Sequence, residues 1–184
     1  MGQQISGADA VSLRRKLVEA AGVPLDALIQ QQVPEAVHLL AYPDAEQVIQ
    51  LSVDQLRALS FSQAKAQTLL SVARAVQEGL LPLDDWAQQS ARGLWNGQTV
   101  EVVTQQLLAI KGIGPWTVNY CLLRGYGWPD GSLHGDVAVR RAIGLLTGTD
   151  KPNARAASDW LEQFKPWRAL VAAHLWASLA DKSY

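Results

Sequence analysis

Leu107-Leu108-Ala109-Ile110-Lys111-Gly112-Ile113-Gly114-Pro115-Trp116-Thr117-Val118-Asn119-Tyr120 is the stretch that decides the fold. An apolar run with helical spacing (Val102, Val103, Leu107, Leu108) stops at Lys111. Two glycines flanking Ile113 allow a positive φ and a tight reversal, and Pro115 suits the first position of a new helix, where an N–H is not needed. The reading is a helix, a hairpin and a second helix. Such a hairpin leaves backbone N–H groups uncovered at a helix start, where the partial positive charge favours an anion such as a nucleic-acid phosphate. A plain corner between two helices uses the same glycines for steric reasons, so the turn alone does not separate the two readings.

Outward from the hairpin, apolar residues recur at i, i+3 and i+4 between Gly, Pro and capping residues, and alternating β-branched runs are absent, so the chain is read as all-α. A first helix is expected from about Ala8 to Ala21, stopped by Gly22. Helical segments follow between Pro24 and Gln32, from Pro34 to before Pro43, and from Asp44 or Ala45 through Leu51. Ser52 with Gln55 forms a capping box, Ser62 opens a longer helix to Gly79, Asp84 caps a short helix carrying Trp86, and Thr99 caps the helix that enters the hairpin. The helix after the hairpin spans about Pro115 to Gly125, and a Gly/Pro/Asp loop from Tyr126 to Gly135 leads to Asp136 and the helical run Val137 to Ile143. Asn153 caps the next helix, and Pro166 starts the last one, from Trp167 to about Leu179. Two lobes are expected, residues 1–126 ending in the hairpin unit and residues 127–184 beginning with the loop.

The composition excludes several classes of function. The 184 residues, 48% hydrophobic and 18% charged, suit one folded domain or two small lobes. A single cysteine, Cys121, cannot make an internal disulfide or a four-thiolate metal centre, and three scattered histidines offer no ligand spacing. No stretch approaches about 20 uninterrupted apolar residues, and Met1-Gly2-Gln3-Gln4 is not a targeting signal, so no membrane is expected as partner and a cytoplasmic location is. The net charge of −1 hides an asymmetry: residues 1–106 hold 7 Lys and Arg against 11 Asp and Glu, and residues 107–184 hold 9 against 6. The carboxy-terminal part is therefore basic and suited to a polyanion. Six of the seven tryptophans, Trp95, Trp116, Trp128, Trp160, Trp167 and Trp176, also lie in the second half.

The hairpin run, the Gly/Pro loop and Leu133-His134-Gly135-Asp136 together resemble the helix-hairpin-helix DNA glycosylase superfamily. Trp116-Thr117-Val118-Asn119-Tyr120, Lys165-Pro166-Trp167-Arg168, His174-Leu175-Trp176 and the opening Gly2-Gln3-Gln4-Ile5-Ser6 are similar, in order and approximate spacing, to its 3-methyladenine DNA glycosylase II branch. The resemblance spans nearly the whole chain. It implies a two-lobed helical fold with the active site in the cleft between lobes. It also implies excision of alkylated purines from duplex DNA by base flipping, with Asp136 as the catalytic carboxylate.

The chemistry agrees with that assignment. Breaking an N-glycosidic bond builds positive charge on the sugar, which a nearby carboxylate stabilises. A purine alkylated at a ring nitrogen is already cationic and leaves without a general acid, so one carboxylate suffices. Asp136 is the sole acid at the junction of loop and helix, although a plain N-cap is the commoner role of such an Asp. Trp116, Tyr120 and Trp176, with Gln3, align with the family's base pocket, where aromatic faces attract a cationic base. Trp116 and Tyr120, four apart, share a helix face, whereas Trp167 is read as core.

The resemblance further places Gly112, Ile113, Gly114 and Thr117 on the DNA backbone and the carbonyls of Leu108, Ile110 and Ile113 around a Na⁺ or K⁺ ion, with no other cofactor. Lyase-type relatives carry a Schiff-base Lys where Trp116 stands, so simple hydrolysis is implied.

Two features depart from the family pattern. Its β-rich amino-terminal domain and a following helix precede the Gln-Gln-Ile-Ser stretch, which here starts beside Gly2. An apolar strip on residues 127–184, lined by Leu170, Val171 or Leu175, is therefore expected to drive self-association or to bind a partner chain. The wedge position that fills the gap left by the flipped base holds Gln4 rather than an apolar residue. A non-catalytic hairpin module that keeps only the DNA grip is the rival reading.

Overall fold

The computed structural model describes residues 7–25 and 39–180. Among these residues the elements run α1 (Gly7–Ala21), β1 (Val23–Pro24), β2 (Leu40–Ala41), α2 (Ala45–Ile49), α3 (Val53–Ala58), α4 (Gln63–Gln77), α5 (Leu83–Ala91), α6 (Gly97–Leu108), α7 (Pro115–Tyr126), α8 (Val137–Thr147), α9 (Ala154–Glu162) and α10 (Arg168–Ala180). Among the described residues the fold is all-α apart from one antiparallel ribbon that pairs Val23 with Ala41 and Pro24 with Leu40. The helices expected within 24–42 otherwise fall on residues outside the described set.

Capping chemistry sets most boundaries. Ser52 and Gln55 form the expected reciprocal box at the start of α3. Asp44 and Gln47 form a second one at α2, the side chain of each accepting the other's backbone N–H. Ser62 and Asn153 cap α4 and α9. Two caps differ from the sequence reading. Thr99 does not cap α6: Asn96 does, its Oδ1 accepting the Thr99 N–H at 3.0 Å, because the amide of Asn96 reaches the third helical residue just as a Ser or Asp would. Asp84 lies in the first turn of α5, which already begins at Leu83.

The chain divides into two compact units, Met1–Leu83 with Ala109–Ile113, and Asp84–Leu108 with Gly114–Tyr184. In the first, α2 and α3 pack on α4 around Leu13, Leu17, Leu56, Phe61 and Leu70. In the second, α8 packs on α10, with α9 and α7 against them, around Leu133, Val139, Ile143, Leu161 and Ala172. The division departs from the boundary expected between residues 126 and 127. The reason is α7, whose Leu123 belongs to the second cluster and whose Trp116 packs against it.

The last helix also corrects the sequence reading. Leu175 is 6% exposed and Val171 packs against the second cluster, so only Leu170 of the three residues expected in an apolar strip is exposed. Trp167, read as core, is 55% exposed; it stands before α10, and Trp160 packs against the cluster instead.

Candidate active site

Asp136 caps α8, and its Oδ1 accepts the N–H groups of Ala138 at 2.8 Å and Val139 at 2.9 Å. Fully buried side chains stand three residues to either side, Leu133 and Val139. The Asp136 N–H also donates to the Leu133 carbonyl at 2.9 Å. Backbone and core thus fix the position of the carboxylate before any side chain meets it.

Two indoles then close on it. The Nε1–H of Trp116, from α7, donates to Oδ2 at 2.8 Å, and the Nε1–H of Trp176, from α10, donates to Oδ1 at 3.2 Å. Both rings are part-buried and pack against the second cluster with their polar edges on the carboxylate. A carboxylate offers about four acceptor positions in two oxygens. Three donors crowd onto Oδ1 and one meets Oδ2, so Oδ2 is the oxygen with capacity left for another group. Tyr120 stacks on Trp116 at 5.1 Å with ring planes 18° apart, and lies 5.9 Å from Trp176 in a tilted pair. At 39% exposure it forms the open side of this aromatic cluster. The structure therefore brings together four of the residues singled out in the sequence: Asp136, Trp116, Tyr120 and Trp176.

The middle of the loop before Asp136 is fastened from two helices. Asn119, one turn after Trp116, donates from Nδ2 to the Ser132 carbonyl at 3.0 Å. A Cβ at Gly131 would lie 2.8 Å from the Asn119 Oδ1, so only glycine passes there without displacement. From the last helix Arg168 grips Asp130 through Nε at 2.8 Å and Nη2 at 3.0 Å, and its Nη1 meets Glu162 at 2.6 Å. The N–H of Ala169 donates to the Pro129 carbonyl at 2.8 Å. Desolvation acts to lower the Arg168 pKa, but Asp130 and Glu162 outweigh it and hold the guanidinium above its ordinary range. The hydrogen bond from Lys165 holds Glu162 below the ordinary glutamate range against desolvation, and Arg168 adds to it. Arg168 is a functional residue that the sequence pattern leaves without a role; its available signal is an Asp in the loop and an Arg at a helix start.

In the hairpin the two glycines serve different ends. Gly112 has φ +94°, and a Cβ there would lie 2.0 Å from the Oγ1 of Thr68, which donates to the Lys111 carbonyl at 3.2 Å. Gly114 has φ −111° and ψ 173°, an extended geometry open to any residue, and a Cβ there would meet nothing within 4 Å. The expectation of positive φ thus holds for Gly112 and not for Gly114, which is the N-cap of α7 with no side chain capping it. The Ile113 N–H donates to the Ile110 carbonyl at 3.0 Å, closing the turn. Thr117 lies in the first turn of α7, and Leu108 ends α6. Gln3 and Gln4 lie outside the described residues. No group of three or more His, Cys, Asp or Glu among the described residues is arranged to hold a metal ion, and none of their helices is long and apolar enough to cross a membrane.

Comparison with known proteins finds relatives named as DNA glycosylases. DNA-3-methyladenine glycosylase 2 of Escherichia coli is 27% identical over 176 residues, covering 96% of this chain and 54% of that protein. DNA-3-methyladenine glycosylase 1 of Schizosaccharomyces pombe is 31% identical over 143 residues, 76% of this chain and 59% of that protein. The chain spans about half the length of the curated relatives it matches. Among solved structures, a 3-methyladenine DNA glycosylase from Archaeoglobus fulgidus superposes with a TM-score of 0.73 at 23% identity, over 96% of this chain and 54% of that one. The S. pombe enzyme in complex with abasic DNA superposes at 0.75 and 22%, over 95% and 74%. Residues 1–166 match the family model described as HhH-GPD superfamily base excision DNA repair protein, and this chain belongs to that superfamily.

Proposed function

We propose that this chain is a monofunctional DNA glycosylase that hydrolyses the N-glycosidic bond of alkylated purines in duplex DNA. The observation that carries the reading is the Asp136 carboxylate, held by two indole and two backbone N–H groups beside the ring of Tyr120. A purine alkylated at a ring nitrogen is a cation. As the bond to C1′ breaks, its electron pair leaves with the base and neutralises it, and positive charge moves to the sugar. Asp136, presented through Oδ2, faces that charge and stabilises it. Water then bonds to C1′ and loses a proton, leaving an abasic sugar and a free base. The aromatic faces of Tyr120, Trp116 and Trp176 attract a cationic base extruded from the duplex and replace the stacking it has lost.

In the same reading the strand backbone rests on the start of α7. The first-turn amides of a helix have no intrahelical acceptor, and the open space at Gly114 lets a phosphate approach them. A Na⁺ or K⁺ ion would sit on the carbonyls of Leu108, Ile110 and Ile113; Ile110 keeps one lone pair for it, the other accepting the Ile113 N–H. Its part would be to neutralise phosphate charge. Trp116 at the hairpin position has no amine to form an imine, so the strand stays intact.

The test is incubation with methylated duplex DNA, followed by measurement of released purines and of alkali-labile sites. Both should rise together. DNA binding with no release would favour a module that only grips the duplex.

A further inference from the structure

Among the described residues, Arg140 and Arg168 are the two arginines that are not exposed, and their surroundings differ sharply. Arg168 is saturated with acceptors: both carboxylate oxygens and the carbonyl of Asp130, and Glu162. Arg140 has none. Its Nε is buried with no hydrogen-bond partner, and among the described residues no carboxylate forms an ion pair with it. A guanidinium carries five N–H donors and keeps its charge in any protein setting, so a part-buried one without an acceptor is disfavoured until an anion meets it.

The nearest acid in sequence does not supply that anion. Asp136 lies one helical turn before Arg140, whose N–H donates to the Asp136 carbonyl at 3.0 Å. Its carboxylate is turned instead to the helix start and the two indoles. Residues four apart share a helix face, on the order of 6 Å apart along the axis. Arg140, its guanidinium without an acceptor, therefore stands one helical turn from Asp136, the residue that faces the sugar in the proposed reaction. The sugar of a nucleotide held there carries a phosphodiester on each side. The planar fork of Arg matches two phosphate oxygens at once.

We infer that Arg140 grips a phosphodiester of the strand being repaired, next to the nucleotide held at Asp136. This rests on the DNA reading above and adds a second backbone contact that differs from the hairpin in kind. The hairpin holds any duplex through amides, whereas Arg140 engages only when a nucleotide sits at Asp136.

The test compares wild type, R140Q and R140K on a duplex with a stable abasic-site analogue and on the undamaged duplex, at 50 and 200 mM salt. R140Q should bind the abasic duplex about tenfold or more weakly, as expected for loss of a charge-assisted hydrogen bond. It should also show a salt slope lower by about 0.9, so that its affinity falls about 3- to 4-fold less than wild type between the two salts. R140K should restore the slope, and undamaged DNA should bind all three proteins alike. Should R140Q fail to fold, the Nε–H resonance of Arg140 in the wild-type protein decides: the abasic duplex should shift it and the undamaged duplex should not. Wild-type binding with an unchanged salt slope in R140Q, an unmoved resonance, or equal losses on both duplexes would overturn the inference. A wild-type protein that binds no DNA would overturn the DNA reading itself.

Discussion

Replacing Gly114 with Val separates the fold of the hairpin from its proposed grip on DNA. At φ −111° and ψ 173° the position lies in the region that β-branched residues favour, and a Cβ there meets nothing within 4 Å. The substitution should therefore change stability by no more than about 0.5 kcal/mol, as at an ordinary surface site. Binding should respond differently, because the side chain would stand where a phosphate must approach the amides of α7. Losing a hydrogen bond to a charged group is worth about 1.5–3 kcal/mol, which is roughly 10- to 150-fold in affinity. The loss should be equal on damaged and undamaged duplexes, since backbone contacts carry no base information. Gly112→Ala is the counterpart. Its φ of +94° strains an alanine, and the new Cβ would collide with Thr68 Oγ1 at 2.0 Å. Strain of about 1–3 kcal/mol and overpacking of similar size make it destabilising whether or not DNA is present. Thermal unfolding and fluorescence-anisotropy titrations measure the two quantities. A G114V protein destabilised by more than about 1 kcal/mol, or one that loses affinity only for damaged DNA, would refute the reasoning.

Other outcomes follow from the same geometry. Trp176→Phe keeps an aromatic ring beside Tyr120 but removes the 3.2 Å hydrogen bond to Asp136. Base release should slow about tenfold, near the lower end for a bond to a charged group, with the melting temperature little changed. An unaltered rate would show that the indole N–H does nothing for the carboxylate. Borohydride should trap no protein–DNA adduct from wild type, because no amine replaces Trp116; a trapped adduct would require an imine. The Lys165 and Arg168 contacts depress the Glu162 pKa on folding, so their stabilising contribution is complete above the ordinary glutamate value and is lost as pH falls through the depressed one. Glu162→Gln should flatten that acid limb of the stability curve, and an unchanged limb in pH-dependent unfolding would contradict the assignment.

What could be read from sequence was what local chemistry dictates. The Ser52 and Gln55 box, the Asp136 cap and the Pro115 start follow from side chains within three residues of the backbone they serve. The pairing of Trp116 with Tyr120 follows from helical period. What escaped depends on residues far apart in the chain. Gly112 must lack a Cβ because Thr68, 44 residues earlier, packs on it, whereas Gly114 owes nothing to sterics. The fastening of Asp130 by Arg168 joins residues 38 apart. Trp167 is exposed although apolar, because apolarity does not say which side of a turn a ring occupies, and Trp160 packs against the cluster instead. The meeting of two indoles on one carboxylate joins three helices, and only family resemblance placed those residues together in advance.

The most direct test of the account is single-turnover release of purines from methylated duplex DNA by wild type and by Asp136→Asn. Asn serves as well as Asp at an N-cap and is isosteric with it, so the variant should fold and keep α8. It lacks the charge. The account predicts release of alkylated purines by wild type, loss of nearly all release in the variant, and DNA affinity in the variant equal to or above wild type, since a negative charge has been removed from the strand's path. A variant that releases base at a rate close to wild type would contradict the central claim that Asp136 is the catalytic carboxylate.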